Sequence, residues 1–342
     1  HITKKDLYEV SGHWEKFKDE LFKIETRDGR VFALKPMNCP HHTQIFKRKS
    51  WSYRDLPQRY ANTTMVYRDE QSGELSGLSR VLSITQDDAH VFCRADQVVE
   101  EMGKVWEIIE QFYSAFGFDL DVRLSFRDPE APEKYLGSPE MWDKAEKELT
   151  DLTKKKGANT KIGLGEATFY GPKIDFMGRD AIGREHQVAT IQLDVNLPKR
   201  FELAYVGAEG KDEEVVMIHC AIMGSLERFL SMIIEHYAGA FPFWLAPTQI
   251  MVLPISEKVE AYAREVQNAL ASAGYRSILD ESNESLGKKI RNAELQKVPY
   301  SLVIGEKEAE SKTVTIRARH TAEQATLKLE KFVESLAAEN KP

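Results

Sequence analysis

Residues 85–93 read TQDDAHVFC. On a strand, successive side chains alternate between faces, so Gln86, Asp88 and His90 share one side while Asp87 and Ala89 take the other. Three polar groups in line within a β-rich stretch do not build a core. They mark either an exposed sheet edge or the wall of a cleft. TIQLDVNLP (190–198) repeats the pattern, with Thr190, Gln192 and Asp194 opposite Ile191, Leu193 and Val195. VVMIHCAIMGSLERF (215–229) sets His219 opposite Ile218 and Cys220, then enters a helix at Gly224-Ser225. Three such segments predict a sheet that lines a cleft with its polar face.

Around them, strands are expected at Val31–Leu34, Thr64–Arg68, Val81–Cys93, Phe169–Phe176, Gln187–Val195 and Val215–Ile222. Helices are expected at about Ala95–Phe116, Pro139–Lys155 and Gly224–Ala240, the first with Val98, Val99, Met102, Val105, Ile108, Ile109 and Phe112 on its apolar stripe. Strands in clusters with helices inserted predict an α+β domain with an antiparallel sheet over residues 1–242. At FPFWLAPTQ (241–249) the texture changes. Beyond it, strands at IMVLPI (250–255), Tyr275–Leu279, YSLVIG (300–305) and TVTIRAR (313–319) alternate with helices at Glu257–Ala273, Leu286–Gln296 and Glu323–Ala337. That alternation predicts a small α/β domain over 243–342, its sheet mostly parallel and TVTIRAR at the edge.

The chain has 342 residues, 42% apolar and 30% charged, which is enough to bury a substantial core. Its net charge of −7 excludes a basic nucleic-acid coat, so any nucleic acid must be met by local cationic patches. Three widely spaced cysteines exclude a disulfide framework and point to a reducing, cytoplasmic setting. No run approaches the roughly 18 apolar residues of a membrane helix, and HITKKDLYEV carries no signal-peptide core. A GxxxxGK[ST] loop, an HExxH helix and a GxSxG elbow are absent.

Cys39, His90 and His219 stand near expected strand ends, and one thiolate with two imidazoles suits Zn²⁺ with a fourth position open. Taken singly, each histidine reads more readily as a satisfied core or surface residue. Arg68 (in YRDE) and Arg228 (in SLERF) read as surface ion pairs with Glu70 and Glu227, or as phosphate ligands facing a polar cleft.

KPMNCP (35–40), YRDEQSGELSGLSRV (67–81), TQDDAHVFC, FYGPKIDF (169–176), ATIQLD (189–194) and MIHCAIMGSLERF (217–229) together resemble threonyl-tRNA synthetases, class II aminoacyl-tRNA synthetases. The likeness extends through SGHW (11–14), KKIRNAEL and GEKEAES, nearly the whole chain. It implies an antiparallel class II catalytic domain followed by an α/β anticodon-binding domain. The implied activity is ATP-dependent formation of threonyl-adenylate, then transfer to the 3′ end of tRNA(Thr).

The resemblance implies that Cys39, His90 and His219 hold one zinc ion per chain, which takes the substrate's amino group and hydroxyl. Gln86, Asp88, Tyr170 and Gln192 are the implied threonine contacts. A site built around a hydroxyl rejects the analogue lacking it by roughly 10⁴–10⁵, so valine is refused whereas serine still fits. For ATP and its Mg²⁺, the resemblance implies Arg68 on the α-phosphate, Glu70 on the adenine amino group, Arg80 on the outer phosphates and Arg228 over the base. Ile84 would cover the adenine, where many relatives have an aromatic ring, with Lys173 and Gln187 near the phosphates. Arg68, Arg228 and His13 are the implied catalytic residues, His13 in the transfer to tRNA. Asn283, Glu308 and Arg317 match anticodon contacts. Leu82, Cys220 and His41 depart from the family pattern, which usually has arginine, arginine and glycine there. Class II motif 1 and the editing domain of bacterial relatives are expected to be missing, with dimerisation belonging to the full-length protein and serine mischarged by this chain. The alternative is a synthetase-like module that senses tRNA or threonine without catalysis.

Overall fold

The structure is a computed structural model that describes residues 1–179, 183–319, 321 and 324–341. The chain divides into two compact units, His1–Met232 and Ile233–Pro342.

The first unit is built on a seven-stranded sheet. Its strands are β1 (Gln58–Tyr67), β2 (Ser83–Cys93), β3 (Asp121–Phe126), β4 (Thr160–Leu164), β5 (Lys173–Arg179), β6 (Glu185–Asp194) and β7 (Val216–Ala221). They lie in the order β1-β2-β7-β6-β5-β3-β4, antiparallel except for the edge pair β3/β4. The antiparallel α+β expectation holds. Residues Phe169–Pro172 are not strand, because the Thr168–Gly171 turn precedes β5. β3 and β4 were not anticipated. The apolar Val122 and Leu124 alternate along β3, but β4 exposes Ile162 and Leu164 and so offers no inward pattern.

Two helices matter for the site. α1 (Cys39–Lys47) buries Phe46, which stacks on Phe92 of β2 at 4.7 Å and on Trp51 at 5.3 Å. This anchor holds the start of α1 against β2. α2 (Val98–Ala115) buries Val98, Met102, Val105, Trp106, Ile109 and Tyr113. Val99 and Ile108 are exposed, contrary to the expected stripe, because at 100° per residue they fall on the two flanks of that arc. A third helix, Pro139–Lys155, begins with Ser138 accepting from Met141 N.

In the second unit five strands form one sheet: β8 (Ile250–Pro254), β9 (Ser277–Leu279), β10 (Tyr300–Ile304), β11 (Thr313–Ala318) and β12 (Gln324–Lys328), in the order β9-β8-β10-β11-β12. Ile250 and Val252 face one apolar cluster with Tyr262, Val266, Leu270 and Phe332, while Met251 and Leu253 face another with Ala293 and Val298. β8 is therefore covered on both faces, as its unbroken apolar run requires. Two expectations fail. β10/β11 and β11/β12 are antiparallel, so only half the pairings are parallel, and TVTIRAR is internal because β12 covers its edge. The final helix runs Leu329–Leu336, not from Glu323, which lies outside the described residues.

Candidate active site

Sheet register brings the expected residues into one row. His219 pairs with His90 on one side and Gln192 on the other, and Gln192 pairs with Lys173. Tyr60 lies across from His90, so five side chains from five adjacent strands share a line. Cross-strand neighbours point to the same face. Period two then adds Gln86, Asp88, Thr190 and Asp194 to the surface.

This surface floors a cleft of about 460 Å³. Its lining includes Cys39, His90, His219, Gln86, Asp88, Tyr170, Gln192, Arg68, Ile84, Lys173, Gln187, Arg228 and His13. Glu70 and Arg80 are not in that lining. Arg80 donates to Glu70 Oε2 from Nε at 3.0 Å and from a terminal nitrogen at 2.5 Å, so these two hold each other.

At one end the ligand atoms of Cys39, His90 and His219 lie within 4.8 Å of one another, all three residues buried. His90 Nε2 and His219 Nδ1 are 3.1 Å apart. Two nitrogen ligands of one tetrahedral zinc ion stand about 3.3 Å apart, so the two imidazole nitrogens stand at that spacing, with the Cys39 thiol close by. The surroundings reinforce this. His219 Nε2 is 2.9 Å from Asp194 Oδ2, which leaves Nδ1 facing the cluster. Asp194 Oδ1 accepts from Asn196 N at 2.8 Å and Leu197 N at 2.9 Å, so the fully buried carboxylate is fixed. Tyr170 stacks on His219 with centroids 4.7 Å apart and donates to Gln192 Oε1 at 2.5 Å. Its turn needs glycine at 171, where a Cβ would come within 1.8 Å of Leu193 O. Burial pushes the Cys39 thiol well above its usual range and His90 well below its own. Burial also raises Asp88 to about 6. Cys220 is buried with its thiol raised to about 12 by desolvation.

The other end is cationic. Arg68 lies over the Phe17 ring at 5.4 Å, and its Nε is buried without a hydrogen-bond partner among the described residues. Lys173 is buried beside Asp175 at 2.9 Å, and Asp175 also accepts from Ser125 at 2.7 Å and Thr190 at 3.1 Å. Arg228 donates to Ser79 O at 2.9 Å and to Gln187 O at 3.4 Å. Burial, then the Arg68 and Arg80 charges, lowers its pKa, so an anion in the cleft would relieve it. Asp87, on the opposite face of β2, accepts from the backbone N–H groups of Ile222, Met223 and Gly224 at 2.9, 2.8 and 2.6 Å. Glu227 accepts from Thr85 N at 3.0 Å. Together they fix the turn that aims Arg228. Gly224 sits there with φ +72°, a left-handed conformation that glycine tolerates.

His13 is buried against Phe169 at 5.1 Å. Ser11 Oγ donates to Tyr8 O at 3.1 Å, so it accepts from His13 Nδ1 at 2.8 Å and leaves Nε2 as an acceptor. Burial lowers His13 to about 3, keeping the ring neutral.

Sequence reasoning missed Asp194 as the anchor of His219, Asp87 as the turn's cap, and Asp175 behind Lys173. Asp87 and Asp194 were visible on their faces, but their partners come from other strands. In the second unit, Glu308 accepts from Gly305 N at 2.9 Å and from Thr315 at 2.7 Å, on the strand that carries Arg317. Arg317 is 3.6 Å from Glu294, and Asn283 is exposed on the loop before helix Leu286–Leu295.

An antiparallel sheet whose polar face floors a cleft, with Arg68 and Arg228 at one end, is the architecture of a class II aminoacyl-tRNA synthetase core. Residues 22–237 match the tRNA synthetase class II core domain (G, H, P, S and T), and 249–339 match an anticodon binding domain. The chain is 49% identical to the threonine–tRNA ligase of Flavobacterium johnsoniae over 97% of its own length and 52% of that protein's. It is likewise 49% identical to that of Phocaeicola vulgatus, over 99% and 53%. The solved RNA binding domain of threonyl-tRNA synthetase from Cryptosporidium parvum superposes with a TM-score of 0.94 at 42% identity, covering 100% of this chain and 85% of that one. The chain belongs to the threonyl-tRNA synthetase family. It spans about half the length of the curated relatives it matches.

Proposed function

We propose that this chain is the catalytic and anticodon-binding part of a threonine–tRNA ligase, with the functional boundary at residues 242/243. The convergence of Cys39, His90 and His219 at one end of a cleft whose other end holds Arg68, Lys173 and Arg228 carries the reading. Cys39, His90 and His219 would hold a zinc ion, which would supply a Lewis acid toward the substrate's amine and alcohol. Asp88 accepts from the same alcohol, and Tyr170 and Gln192, locked to each other, wall the side chain. Valine leaves Asp88 without its donor, whereas serine keeps it.

The threonine carboxylate attacks the α-phosphorus of ATP, forming the acyl–phosphate bond as pyrophosphate leaves with Mg²⁺. Arg68 stabilises the charge growing on the α-phosphate oxygens, and the unpartnered Nε gives it a donor to offer. Lys173 and Gln187 contact the phosphates, while Ile84 and Arg228 cover the adenine. Glu70 and Arg80 exchange their mutual pair for the adenine amino group and the outer phosphates. The terminal ribose hydroxyl of tRNA(Thr) then attacks the adenylate carbonyl, its proton passing to the phosphate oxygen on which AMP leaves. His13 Nε2 accepts from that hydroxyl and orients it; a ring so hard to protonate is an acceptor rather than a strong base. Asn283, Glu308 and Arg317 read the anticodon. The setting is cytoplasmic and the full-length protein a homodimer. Among the described residues, no helix is long and apolar enough to cross a membrane.

Threonine-dependent ATP–pyrophosphate exchange tests this. Exchange with threonine, little with valine, and its loss in C39S support the reading. Threonine binding without exchange would favour a sensing module instead.

A further inference from the structure

Helix α1 carries a third imidazole to the metal-ligating cluster, and the proposed reaction gives it no part. His42 follows Cys39 by three residues, so both lie on the helix face pressed against β2 by Phe46 and Phe92. It is 4% exposed. Its Nδ1 lies 2.7 Å from His90 Nδ1, the two rings nearly perpendicular at 85°. His41 turns the opposite way, to Thr3 Oγ1 at 3.0 Å. Tyr60, across the ladder from His90, backs the His42 ring at 6.0 Å.

The hydrogen positions follow from this arrangement. His90 Nε2 faces His219 Nδ1 at 3.1 Å and is the nitrogen available to a metal. To ligate, it must be bare, so a neutral His90 carries its hydrogen on Nδ1. The partner of that hydrogen is His42 Nδ1, which must therefore offer a lone pair, and His42 is the Nε2–H tautomer. We propose that His42 is a positioning residue of the metal centre: it accepts from His90 Nδ1–H and so fixes the tautomer and ring orientation of that ligand. Asp194 does the same for His219 with a carboxylate. One first turn of helix thus supplies a ligand, Cys39, and the anchor of another. The inference rests on reading the cleft as a metal site.

The full chain is compared with H42N and H42F. Asparagine Oδ1 occupies the place of histidine Nδ1 and can accept the same hydrogen; phenylalanine keeps the ring and removes the acceptor. Zinc affinity is measured by competition with a chromophoric chelator, and ligand geometry by the visible spectrum of the Co²⁺-loaded proteins. Expected are a 10–100-fold loss of affinity with an altered Co²⁺ spectrum in H42F, and an affinity within about threefold of the parent in H42N. Circular dichroism of the zinc-free proteins checks that H42F keeps its fold. Should it not, nitrogen NMR of ¹⁵N-histidine in the zinc-loaded parent decides, with His42 expected as Nε2–H and His90 as Nδ1–H. Parent-like affinity and spectrum in H42F, or a hydrogen on His42 Nδ1, overturns the proposal. Zinc retained in full by C39S would instead overturn the metal reading on which it stands.

Discussion

Replacing Asp194 by asparagine removes a charge and almost no volume, yet it leaves the new amide no orientation that satisfies its neighbours. In the protein one oxygen lies 2.9 Å from His219 Nε2, and the other accepts from two backbone donors, Asn196 N and Leu197 N. With the amide oxygen kept on the backbone, NH₂ faces the His219 N–H. Relief then requires His219 to move its hydrogen to Nδ1, the nitrogen turned toward the cluster, where it competes with a metal. With the amide flipped, NH₂ meets two backbone donors instead. A hydrogen bond to a charged group contributes about 1.5–3 kcal/mol, and the residue is wholly buried, so water cannot substitute. The first orientation therefore predicts zinc binding weaker by 10–100-fold, or about 1.4–2.8 kcal/mol. The second spares the metal and lowers the stability of the first unit by a similar amount. Chelator competition and urea unfolding of D194N distinguish them. If zinc affinity and unfolding midpoint both match the parent, Asp194 does not fix His219 and the reasoning fails.

In the zinc-free protein, D88N should be more stable than the parent at pH 7 by up to about 3 kcal/mol, because burial raises Asp88 from 3.8 to about 6. The raised value means that the folded state holds its proton more tightly than the unfolded state, so the gap is absent below pH 4, grows to pH 6 and is flat above; urea midpoints at pH 4, 5 and 7 check it. G171A should cost about 3 kcal/mol or more and raise the threonine KM, since its methyl would meet Leu193 O at 1.8 Å and only a shift of the Tyr170 turn relieves it; an unchanged melting temperature would contradict this. D87A should orphan three N–H groups, lower stability by about 2–3 kcal/mol and raise the ATP KM more than the threonine KM, because the freed turn aims Arg228; equal changes in the two KM values would show that the turn does not position the arginine.

The polar face of the sheet was legible because alternation is a local property. Asp88 and His90 share a face whatever their neighbours do, and so do Gln192 and Asp194. What alternation does not contain is register. That His219 lies between His90 and Gln192 depends on how three strands pair, and only pairing reveals Asp194 as the anchor of His219. Nor does local pattern foretell His42, whose place depends on Phe46 docking on Phe92. Reading the chain as similar to threonyl-tRNA synthetases carried the ligand set across that gap, but it carried Glu70 and Arg80 as ligand contacts and did not anticipate that they bind each other. The strand Gln324–Lys328 was merged into the helix that follows it, because its alternating Ala325 and Leu327 are too few to stand apart from the longer amphipathic run beyond. Its edge position then displaced TVTIRAR to the interior.

The two ends of the cleft are strained toward opposite ligands. Around the three ligands, burial drives Cys39, His90 and Asp88 toward their neutral forms, in which two are protonated and cannot coordinate as anions. A dication reverses that balance for thiolate and carboxylate together. At the other end, burial and mutual repulsion work against the guanidinium of Arg228, which a phosphate relieves. A cation among Cys39, His90 and His219 and a polyanion against the arginines would each offset these costs. On the proposed reading, an amino acid that reached both a zinc ion and Asp88 while presenting its carboxylate toward Arg68 would bridge the two ends, and that geometry would couple side-chain recognition to the reacting phosphate.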